Sequence, residues 1–386
     1  MIWIAITNYI DYKKQRKPHT SPKISIIIPC YNDAKTIQET IHSVYESYDH
    51  DKIELIIVND KSKDNSREKI LELQPKYNFI FKENAHNKGK SETLNATADE
   101  CSHDIIVILD ADTLLSKKAL NDLLQRLEDP KVAATSCAYK PSNKWFLPAL
   151  QYIEYNMARF TTGSYNLTSA MLLRWGCIVM KKKPFFEAEK FSINSISEDM
   201  DLAMKLNKLG YKVQQGKYPV ASEVPETLRV FIKQRMRRSS GNMQCLLKFP
   251  EVWIKNPLFI IFASILSWSI SFWTMYFIKN GIVFGNFVEF CFTLFQITTF
   301  QNWLNALSIL YWDNVVAQTI RSLWFTLFAL PYTIPTIHKK RQFTKILRVI
   351  PYTLLYTPMY SIIWTVWTIY WIKKYFELKP QNKRAW

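Results

Sequence analysis

The sequence of 386 residues has little glycine, no closely paired cysteines and few acidic residues in its last third. Its 8 glycines exclude a collagen-like repeat, and a hydrophobic fraction of 48% argues against intrinsic disorder. The 6 cysteines are scattered and form no C-x-x-C motif, so neither a disulfide framework nor a zinc site is predicted. The composition favours a folded protein kept in a reducing compartment.

The scarcity of acidic residues divides the chain into two parts. Between Pro257 and Trp386 there are three acidic residues against twelve basic ones, and ten of the 13 tryptophans lie from Trp253 onward. The composition therefore predicts a soluble α/β protein for the first two thirds of the chain and a membrane-embedded region for the last third. The net charge of +17 would suit nucleic acid, but the basic residues of the last third flank apolar runs, as in membrane topology. No nucleic-acid partner is expected.

Long uncharged runs in the last third predict membrane-spanning helices. Pro257–Ile278 has 22 residues without a charge and Phe290–Trp312 has 23, enough to cross a hydrocarbon core of about 30 Å. Two further runs, Ser322–Ile337 and Val349–Ile372, contain prolines, and one of them is expected to be re-entrant because the basic segments around them both favour the cytoplasm. Ile2–Ile10 is too short to span and predicts an interfacial anchor, or the end of a membrane helix missing from this sequence.

Short apolar runs alternate with helical patterns from Ile24 to about Tyr139. The runs are β-branched and nearly continuous, which is typical of strands covered on both faces. They are Ile24–Pro29, Glu54–Asp60, Tyr77–Lys82, Asp104–Asp110 and Val132–Thr135. Repeated β-α-β units predict a parallel sheet with helices on both faces, and in such sheets a ligand binds beyond the carboxyl ends of the strands.

Asp110-Ala111-Asp112 is the sharpest chemical feature, because it directly follows an apolar strand. Two carboxylates one residue apart can hold a hard divalent cation with open positions, and such a cation stabilises a diphosphate leaving group. A surface turn is the alternative for this motif in isolation. The position at a strand end favours the cation site.

Three further motifs have both a structural and a functional interpretation. Ser197-Glu198-Asp199 opens a helical pattern that ends at Gly210; the serine is expected to cap the helix, and Asp199 would act as a general base. Gln234–Arg238 lies on a later helix, where Arg237 would reach diphosphate oxygens or the whole segment would lie on a membrane surface. Asn87–Lys90 precedes a helix and predicts either a phosphate-binding turn or an ordinary turn.

Taken in order, these motifs resemble those of family 2 glycosyltransferases of the GT-A type, and in particular the membrane-integrated synthases of poly-N-acetylglucosamine, hyaluronan, chitin and cellulose. The matching stretches, within about Lys23 to Gly241, are Ile26–Asn32, Val58–Asp64, Asn87–Lys90 with Leu94-Asn95, Asp110–Asp112, Ser197–Asp199, Val224–Thr227 and Gln234–Arg237. The resemblance implies a Rossmann-like mixed sheet with helices on both faces, followed by an α-helical transmembrane region. It divides the chain into a membrane-interface anchor (1–20), a cytosolic catalytic domain (21–247) and interfacial and transmembrane helices (248–386).

The resemblance also implies roles for individual residues. The residues implied to bind the nucleotide sugar are Pro29, Asp60, Lys90, Asp110 and Gln234. Those implied to be catalytic are Asp199, Glu198 and Arg237, and those implied to hold Mg²⁺ or Mn²⁺ are Asp112 and Asp110. The expected reaction transfers the sugar of a UDP-sugar to a growing β-linked polysaccharide, with inversion at the anomeric carbon. UDP-N-acetylglucosamine is the favoured donor. The enzyme would lie in the cell membrane with its catalytic domain in the cytoplasm, in contact with lipids and with an accessory subunit as a further expected partner.

The sequence departs from this family at several positions. Asn59 and Lys61 stand where the family has Asp and Gly, and Ser197 replaces a Thr. Arg238 replaces a Trp that stacks on the acceptor sugar, so the platform would be a guanidinium or Trp175. Two alternatives therefore stay open: transfer of one sugar to a lipid carrier or glycolipid, and a catalytically inactive synthase subunit.

Overall fold

The computed structural model describes residues 21–254, except residue 144 and, between 164 and 175, all but residues 166, 169 and 173. The predicted anchor, the predicted membrane spans and Trp175 lie outside the described residues. Within the described part, no helix is both long and apolar enough to cross a membrane.

The described residues form an α/β domain in which strands and helices alternate along most of the chain. The strands are β1 (Ile24–Cys30), β2 (Ile53–Asn59), β3 (Ile80–Glu83), β4 (Ile105–Leu109), β5 (Thr113–Leu114), β6 (Val132–Ser136), β7 (Tyr139–Pro141), β8 (Cys177–Lys181), β9 (Lys212–Gln215) and β10 (Val220–Ser222). The helices are α1 (Ile37–Ser47), α2 (Ser66–Leu71), α3 (Lys90–Glu100), α4 (Lys117–Leu127), α5 (Phe146–Gly163), α6 (Lys182–Glu187), α7 (Glu198–Lys208), α8 (Leu228–Lys248) and α9 (Pro250–Ile254).

Seven strands form one mixed sheet in the order β3-β2-β1-β4-β8-β6-β9. The pairs β1–β2, β1–β4 and β2–β3 are parallel, whereas β8 runs antiparallel to both β4 and β6. The prediction of a wholly parallel sheet is therefore wrong at β8, while the mixed sheet implied by the family resemblance is confirmed. Between β7 and β8, the described residues include the long helix α5.

The central strand β1 shows why the continuous apolar runs predict buried strands. Ile26 and Ile28 pack into the core that contains α1 and α4, and Ile27 packs into the core on the opposite face with α3 and α7. All three side chains are fully buried. Because successive side chains alternate between faces, a strand covered on both sides carries apolar residues at consecutive positions instead of alternate ones.

One predicted strand begins later than expected because its first residues make aromatic contacts instead of a ladder. The run Tyr77–Lys82 becomes a strand only from Ile80. The Tyr77 ring stacks on Tyr45 with centroids 4.4 Å apart, and the Tyr45 hydroxyl donates to the Asn78 carbonyl oxygen at 2.5 Å. These contacts fix residues 77–79 against α1, so they do not continue the sheet.

A small second sheet, in the order β5-β10-β7, lies beyond the carboxyl end of β4. Ser222 of β10 pairs with Thr113 of β5 in an antiparallel register. Asp112 is therefore held between the end of β4 and this small sheet. The sequence patterns did not predict these strands, which are only two or three residues long.

Gly210 ends α7 as predicted and has φ of +85°, with no atom within 4 Å of the position of a Cβ. Replacing Gly210 with Ala is expected to lower the free energy of unfolding by about 1 kcal/mol, because a residue with a Cβ rarely adopts this conformation. Urea titration followed by circular dichroism measures the change. Gly210→Asn is the matched control and should recover most of the loss, because asparagine tolerates left-handed backbone. Equal stability of the Ala variant and the wild type would contradict the assignment.

Candidate active site

A cleft of about 460 Å³ opens beyond the carboxyl end of β4, between the small sheet, α7 and α8. Its lining contains most of the site residues predicted from sequence: Lys90, Asp110, Asp112, Glu198, Asp199, Gln234 and Arg237. These residues come from four separate segments of the chain, of which the first and the last are more than a hundred positions apart. The fold therefore gathers the strand-end motif and the two helical motifs into one place.

A second cavity of about 350 Å³ lies at the carboxyl ends of β1 and β2. Pro29 and Asp60, the two predicted site residues that the first cleft lacks, line this cavity. Lys90, Asp110 and Asp112 line both spaces. The two cavities therefore meet at these three side chains.

Asp60 is buried and fixes the turn that precedes α3. Its Oδ1 accepts hydrogen bonds from the Lys88 N–H at 2.9 Å and from Asn84 Nδ2 at 2.7 Å, and its Oδ2 accepts from the Gly89 N–H at 2.9 Å. In the turn predicted to bind phosphate, the N–H groups of Lys88 and Gly89 therefore bind the carboxylate of Asp60 instead. Gly89 has φ of +83°, which explains the glycine in this turn.

Asp110 is held by two partners at the junction of the cavities. Lys90 Nζ lies 2.6 Å from Asp110 Oδ1, and the Gly176 N–H donates to Oδ2 at 3.1 Å. The side chain is therefore fixed in place, with a cation already beside it. Gly176 itself has φ of +98°, and a Cβ there would lie 2.5 Å from the Tyr139 ring.

Asp112 lies in surroundings that disfavour its negative charge. Its Oδ1 accepts from Thr113 Oγ1 at 3.1 Å and from Ser222 Oγ at 3.4 Å. Burial, followed by repulsion from Asp110, raises the pKa of Asp112 to about 6. Partly buried carboxylates that repel each other fit a hard divalent cation, which would relieve this repulsion.

The set of protein ligands for such a cation is small. Among the described residues, no three His, Cys, Asp or Glu side chains are placed to hold a metal ion together. Asp110 and Asp112 are thus at most a two-carboxylate site. Mg²⁺ is commonly bound in this way, by one or two carboxylates plus the phosphates of a substrate.

Asp33 also belongs to the site, although the sequence patterns did not single it out. It lines the smaller cavity, and its Oδ2 accepts from the Tyr31 N–H at 2.9 Å. Burial raises its pKa, and the charges of Asp110 and Asp64 act in the same direction. Its position directly after the Pro-Cys-Tyr-Asn stretch, which begins in the last two residues of β1, was the available signal.

The acidic pair at the start of α7 faces the larger cleft. Ser197 was expected to cap the helix, but its Oγ donates to Asp199 Oδ1 at 2.8 Å and makes no cap hydrogen bond to the backbone. The Met200 N–H donates to the same oxygen at 2.8 Å. Burial raises the pKa of Asp199, whereas the Ser197 hydrogen bond opposes that rise. Burial also raises the pKa of Glu198.

Helix α8 supplies Gln234, Arg237 and Arg238 to the lining of the cleft. The helix begins after Thr227, whose Oγ1 accepts from the Val230 N–H at 3.5 Å. Arg235 points elsewhere: it is 1% exposed, and its Nη2 lies 2.6 Å from Glu154 Oε2 on α5. The single basic cluster of the sequence thus splits into cleft residues and a buried structural residue.

Several lining residues could not be selected from the sequence. They are Tyr139, Glu154, Tyr155, Glu223 and Asn242. Tyr139 lies on the short strand β7, and Glu154 and Tyr155 lie on α5, whose position depends on tertiary packing. Glu223 stands next to the Val224–Thr227 motif and offered the only local signal.

Comparisons of sequence agree with this geometry. The sequence profile of glycosyl transferase family 2 matches residues 25–187. The poly-beta-1,6-N-acetyl-D-glucosamine synthase of Staphylococcus aureus (strain COL) is 31% identical over 281 residues, which cover 69% of this chain and 68% of that protein. The synthase of the same name from Staphylococcus epidermidis is 27% identical over 286 residues, covering 72% of this chain and 69% of that protein.

A solved structure supports the fold. The mannosyltransferase of Pyrobaculum calidifontis, in complex with GDP-Man and Mn²⁺, aligns with a TM-score of 0.52 at 22% sequence identity, over 64% of this chain and 71% of that one. This likeness concerns the α/β fold with its mixed sheet. The staphylococcal synthase, 31% identical over more than two thirds of its length, together with the family profile, establishes that the chain is a glycosyltransferase and belongs to glycosyl transferase family 2.

Proposed function

We propose that the protein transfers N-acetylglucosamine from UDP-N-acetylglucosamine to a growing β-linked polysaccharide, with inversion at the sugar. The observation that carries this proposal is the convergence of Lys90, Asp110, Asp112, Asp199 and Arg237 on one cleft. The 31% identity to the staphylococcal synthase supports the choice of sugar and product.

The nucleoside is assigned to the smaller cavity and the diphosphate to the junction. Pro29 and Asp33 line the nucleoside side, and Asp60 acts there by closing the turn that carries Lys90. Lys90 and Arg237 bring positive charge to the larger cleft, and guanidinium geometry suits phosphate oxygens. Gln234 lies on the same helical face as Arg238, where the transferred sugar and the acceptor meet.

Mg²⁺ or Mn²⁺ held by Asp112, with Asp110 beside it, would neutralise the diphosphate as it leaves. The residues of the chain do the rest. Lys90 fixes Asp110, and Thr113 and Ser222 orient Asp112 through hydrogen bonds to Oδ1. These contacts place the carboxylates before the donor arrives.

Asp199 is assigned as the general base. The acceptor hydroxyl oxygen forms a bond to the anomeric carbon, the bond from that carbon to UDP breaks with its electron pair leaving on the diphosphate, and the hydroxyl proton passes to Asp199. Both hydrogen bonds found for Asp199 among the described residues engage Oδ1. Oδ2 is therefore the atom that we assign to the proton, with Glu198 beside it in the lining of the cleft.

The membrane arrangement belongs to the same proposal. Residues 248–386 are assigned to interfacial and transmembrane helices, and 1–20 to an interface anchor, with the domain of residues 21–247 facing the cytoplasm. The uncharged runs of the last third support this assignment. It places the growing polymer, the membrane lipids and an accessory subunit around one catalytic domain.

A second candidate is the transfer of a single sugar to a lipid carrier or glycolipid. Arg238 lines the cleft near Asp199, where the family resemblance implies a tryptophan platform for a polymer. Product size separates the two candidates, since a polymer synthase gives long chains and the alternative gives a monoglycosylated lipid. UDP release by the purified protein excludes an inactive subunit.

Replacing Asp199 with Asn is expected to reduce sugar transfer by about a hundredfold to ten-thousandfold, because the amide cannot accept the hydroxyl proton. UDP binding should be retained, as measured by titration calorimetry. Asp201→Asn is the matched control: Asp201 lies on the same helix but bonds to Ser192 and Lys248 outside the cleft. Full transfer activity in the Asp199 variant would refute the assignment of the base.

Replacing Ser197 with Ala is expected to move the acid limb of the pH–rate profile to higher pH. The lost hydrogen bond stabilises ionised Asp199, so the pKa of Asp199, already raised by burial, should rise further. A base with a higher pKa is protonated at a higher pH, and activity falls there. Ser195→Ala is the control, since Ser195 faces Cys245. An unchanged acid limb in the Ser197 variant would contradict this coupling.

Replacing Asp112 with Asn is expected to weaken Mn²⁺ binding in the presence of UDP by at least about tenfold, because one of two charged ligands is lost. Electron paramagnetic resonance of free Mn²⁺ measures this independently of activity. Asp64→Asn serves as the control, because Asp64 binds Ser66 and the Ala34 N–H. Unaltered Mn²⁺ affinity would place the cation elsewhere.

A further inference from the structure

One wall of the larger cleft carries oxygen atoms that lack hydrogen-bond donors. Among the described residues, Gln234 Oε1 and Asn242 Oδ1 are buried and accept no hydrogen bond. Both residues line the cleft on α8. Because buried polar atoms are nearly always paired, these two oxygens call for a ligand that donates hydrogen bonds.

The α8 wall, defined as Gln234, Arg238 and Asn242, presents one face of the helix to the cleft. Its members are spaced by four residues, so they share that face and extend over about 12 Å. This length exceeds a single pyranose ring. A ligand that fills the wall therefore has more than one sugar residue, or a sugar with a long substituent.

Glu154 faces the α8 wall from α5 and is held there by Arg235. The Arg235 side chain is fully buried, with Nη2 2.6 Å from Glu154 Oε2, while Glu154 keeps 14% of its side chain exposed. The Arg235 guanidinium also lies 4.9 Å from the Phe231 ring centroid and 5.6 Å from that of Tyr155. A buried arginine held on several sides fixes the direction of its carboxylate partner.

The wall belongs to the acceptor side of the cleft. A Cβ at Gly241 would lie 2.4 Å from Ser197 Cβ and 3.0 Å from Ser197 N, so α8 passes directly over the residue that orients Asp199. The acceptor must place a hydroxyl at Asp199. Glu154 and Asn242 line only the larger cleft and not the smaller cavity assigned to the nucleoside.

We propose that Glu154 and Asn242 accept hydrogen bonds from hydroxyl or amide N–H groups of the acceptor saccharide, beyond the sugar that reacts, with Arg235 as the residue that positions Glu154. This inference rests on the proposed function and names the acceptor as a saccharide of several residues. A lipid chain would leave the buried oxygens of the wall unpaired, at a substantial free-energy penalty.

The test compares acceptors of increasing length. Glu154→Gln keeps the size of the side chain but replaces the charged carboxylate with an amide, so that one of its two accepting oxygens becomes a donating NH2 group. Asn242→Leu replaces the amide with an apolar group of similar size and removes its accepting oxygen. The assay measures KM for N-acetylglucosamine and for a series of its short β-linked oligosaccharides, together with UDP affinity. The wild type should bind longer acceptors more tightly. In each variant KM for the longer acceptors should rise by about tenfold, the effect of losing a hydrogen bond to a buried group, with unchanged UDP affinity.

Asp122→Asn is the matched control for Glu154→Gln. Asp122 pairs with the buried Arg126 at 3.2 Å on α4, and neither residue lines the cleft. This variant should lose stability while keeping the preference for longer acceptors. If Glu154→Gln fails to fold, Asn242→Leu decides the question by itself.

The possible outcomes distinguish a failure of this inference from a failure of the proposed function. UDP release by the wild type, with the length preference unchanged in both variants, would overturn the inference alone. A loss of length preference in Asp122→Asn as well would also overturn it, because the effect would then reflect stability. No UDP release by the wild type with any UDP-sugar would overturn the proposed function and the inference together.

Discussion

The salt bridge between Lys90 and Asp110 joins the two cavities of the active site, and much of the surrounding structure serves to place it. Asp110 ends a central strand and is fixed on its second oxygen by the Gly176 N–H. Lys90 begins α3 and is placed by the turn that the buried Asp60 carboxylate closes. Because both side chains line both spaces, a displacement of either would disturb the two cavities at once.

The positive charge of Lys90 lowers the pKa of several carboxyl groups around the site. Burial raises the pKa of four acids around the site, and in each case the charge of Lys90 acts in the opposite direction; these are Asp33, Asp112, Glu198 and Asp199. Repulsion from a neighbouring acid adds to burial at three of them, Asp33, Asp112 and Glu198. A single ammonium group cannot neutralise all of these charges. Arg237 lowers the pKa of Glu198 and Arg238 lowers that of Asp199, and a cation bound in the proposed function would add further positive charge.

The sequence predicted the parts of the site that depend on local pattern. Asp60 and Asp110 follow apolar strands, and the carboxyl ends of parallel strands share one edge, so their proximity could be foreseen. Seven of the nine predicted site residues line the larger cleft and the other two line the adjoining cavity. Gly210 was recognised as the end of α7 because glycine is favoured in left-handed backbone.

The remaining parts depend on contacts between distant segments, which carry no periodic signal. The antiparallel direction of β8 is visible only in its pairing with β4 and β6, and the small sheet consists of strands too short to show alternation. Ser197 was expected to cap a helix, but the carboxylate of Asp199 competes successfully for its hydroxyl group. Arg235 and Glu154 are separated by 81 positions, so their pairing depends on how α5 packs against α8.

The donor half and the acceptor half of the site are built differently. The strand-end residues are set by sheet register, which fixes backbone positions closely. The acceptor half lies on α7 and α8, which are positioned by side-chain packing instead of by strand pairing. The two helices approach closely at Gly241, and the buried Arg235 of α8 pairs with Glu154. In the proposed function, the strand-end residues would hold the nucleotide sugar and the helical wall would contact the acceptor.

We propose that this cleft transfers a sugar from a UDP-sugar, and UDP release by the purified protein tests this step itself. The protein is reconstituted in lipid with Mn²⁺ and a panel of UDP-sugars, and the product is then sized. We expect UDP release with UDP-N-acetylglucosamine in preference to the other donors, and a β-linked polymer as the product. Release with a different sugar alone, or no release with any donor, would contradict this expectation.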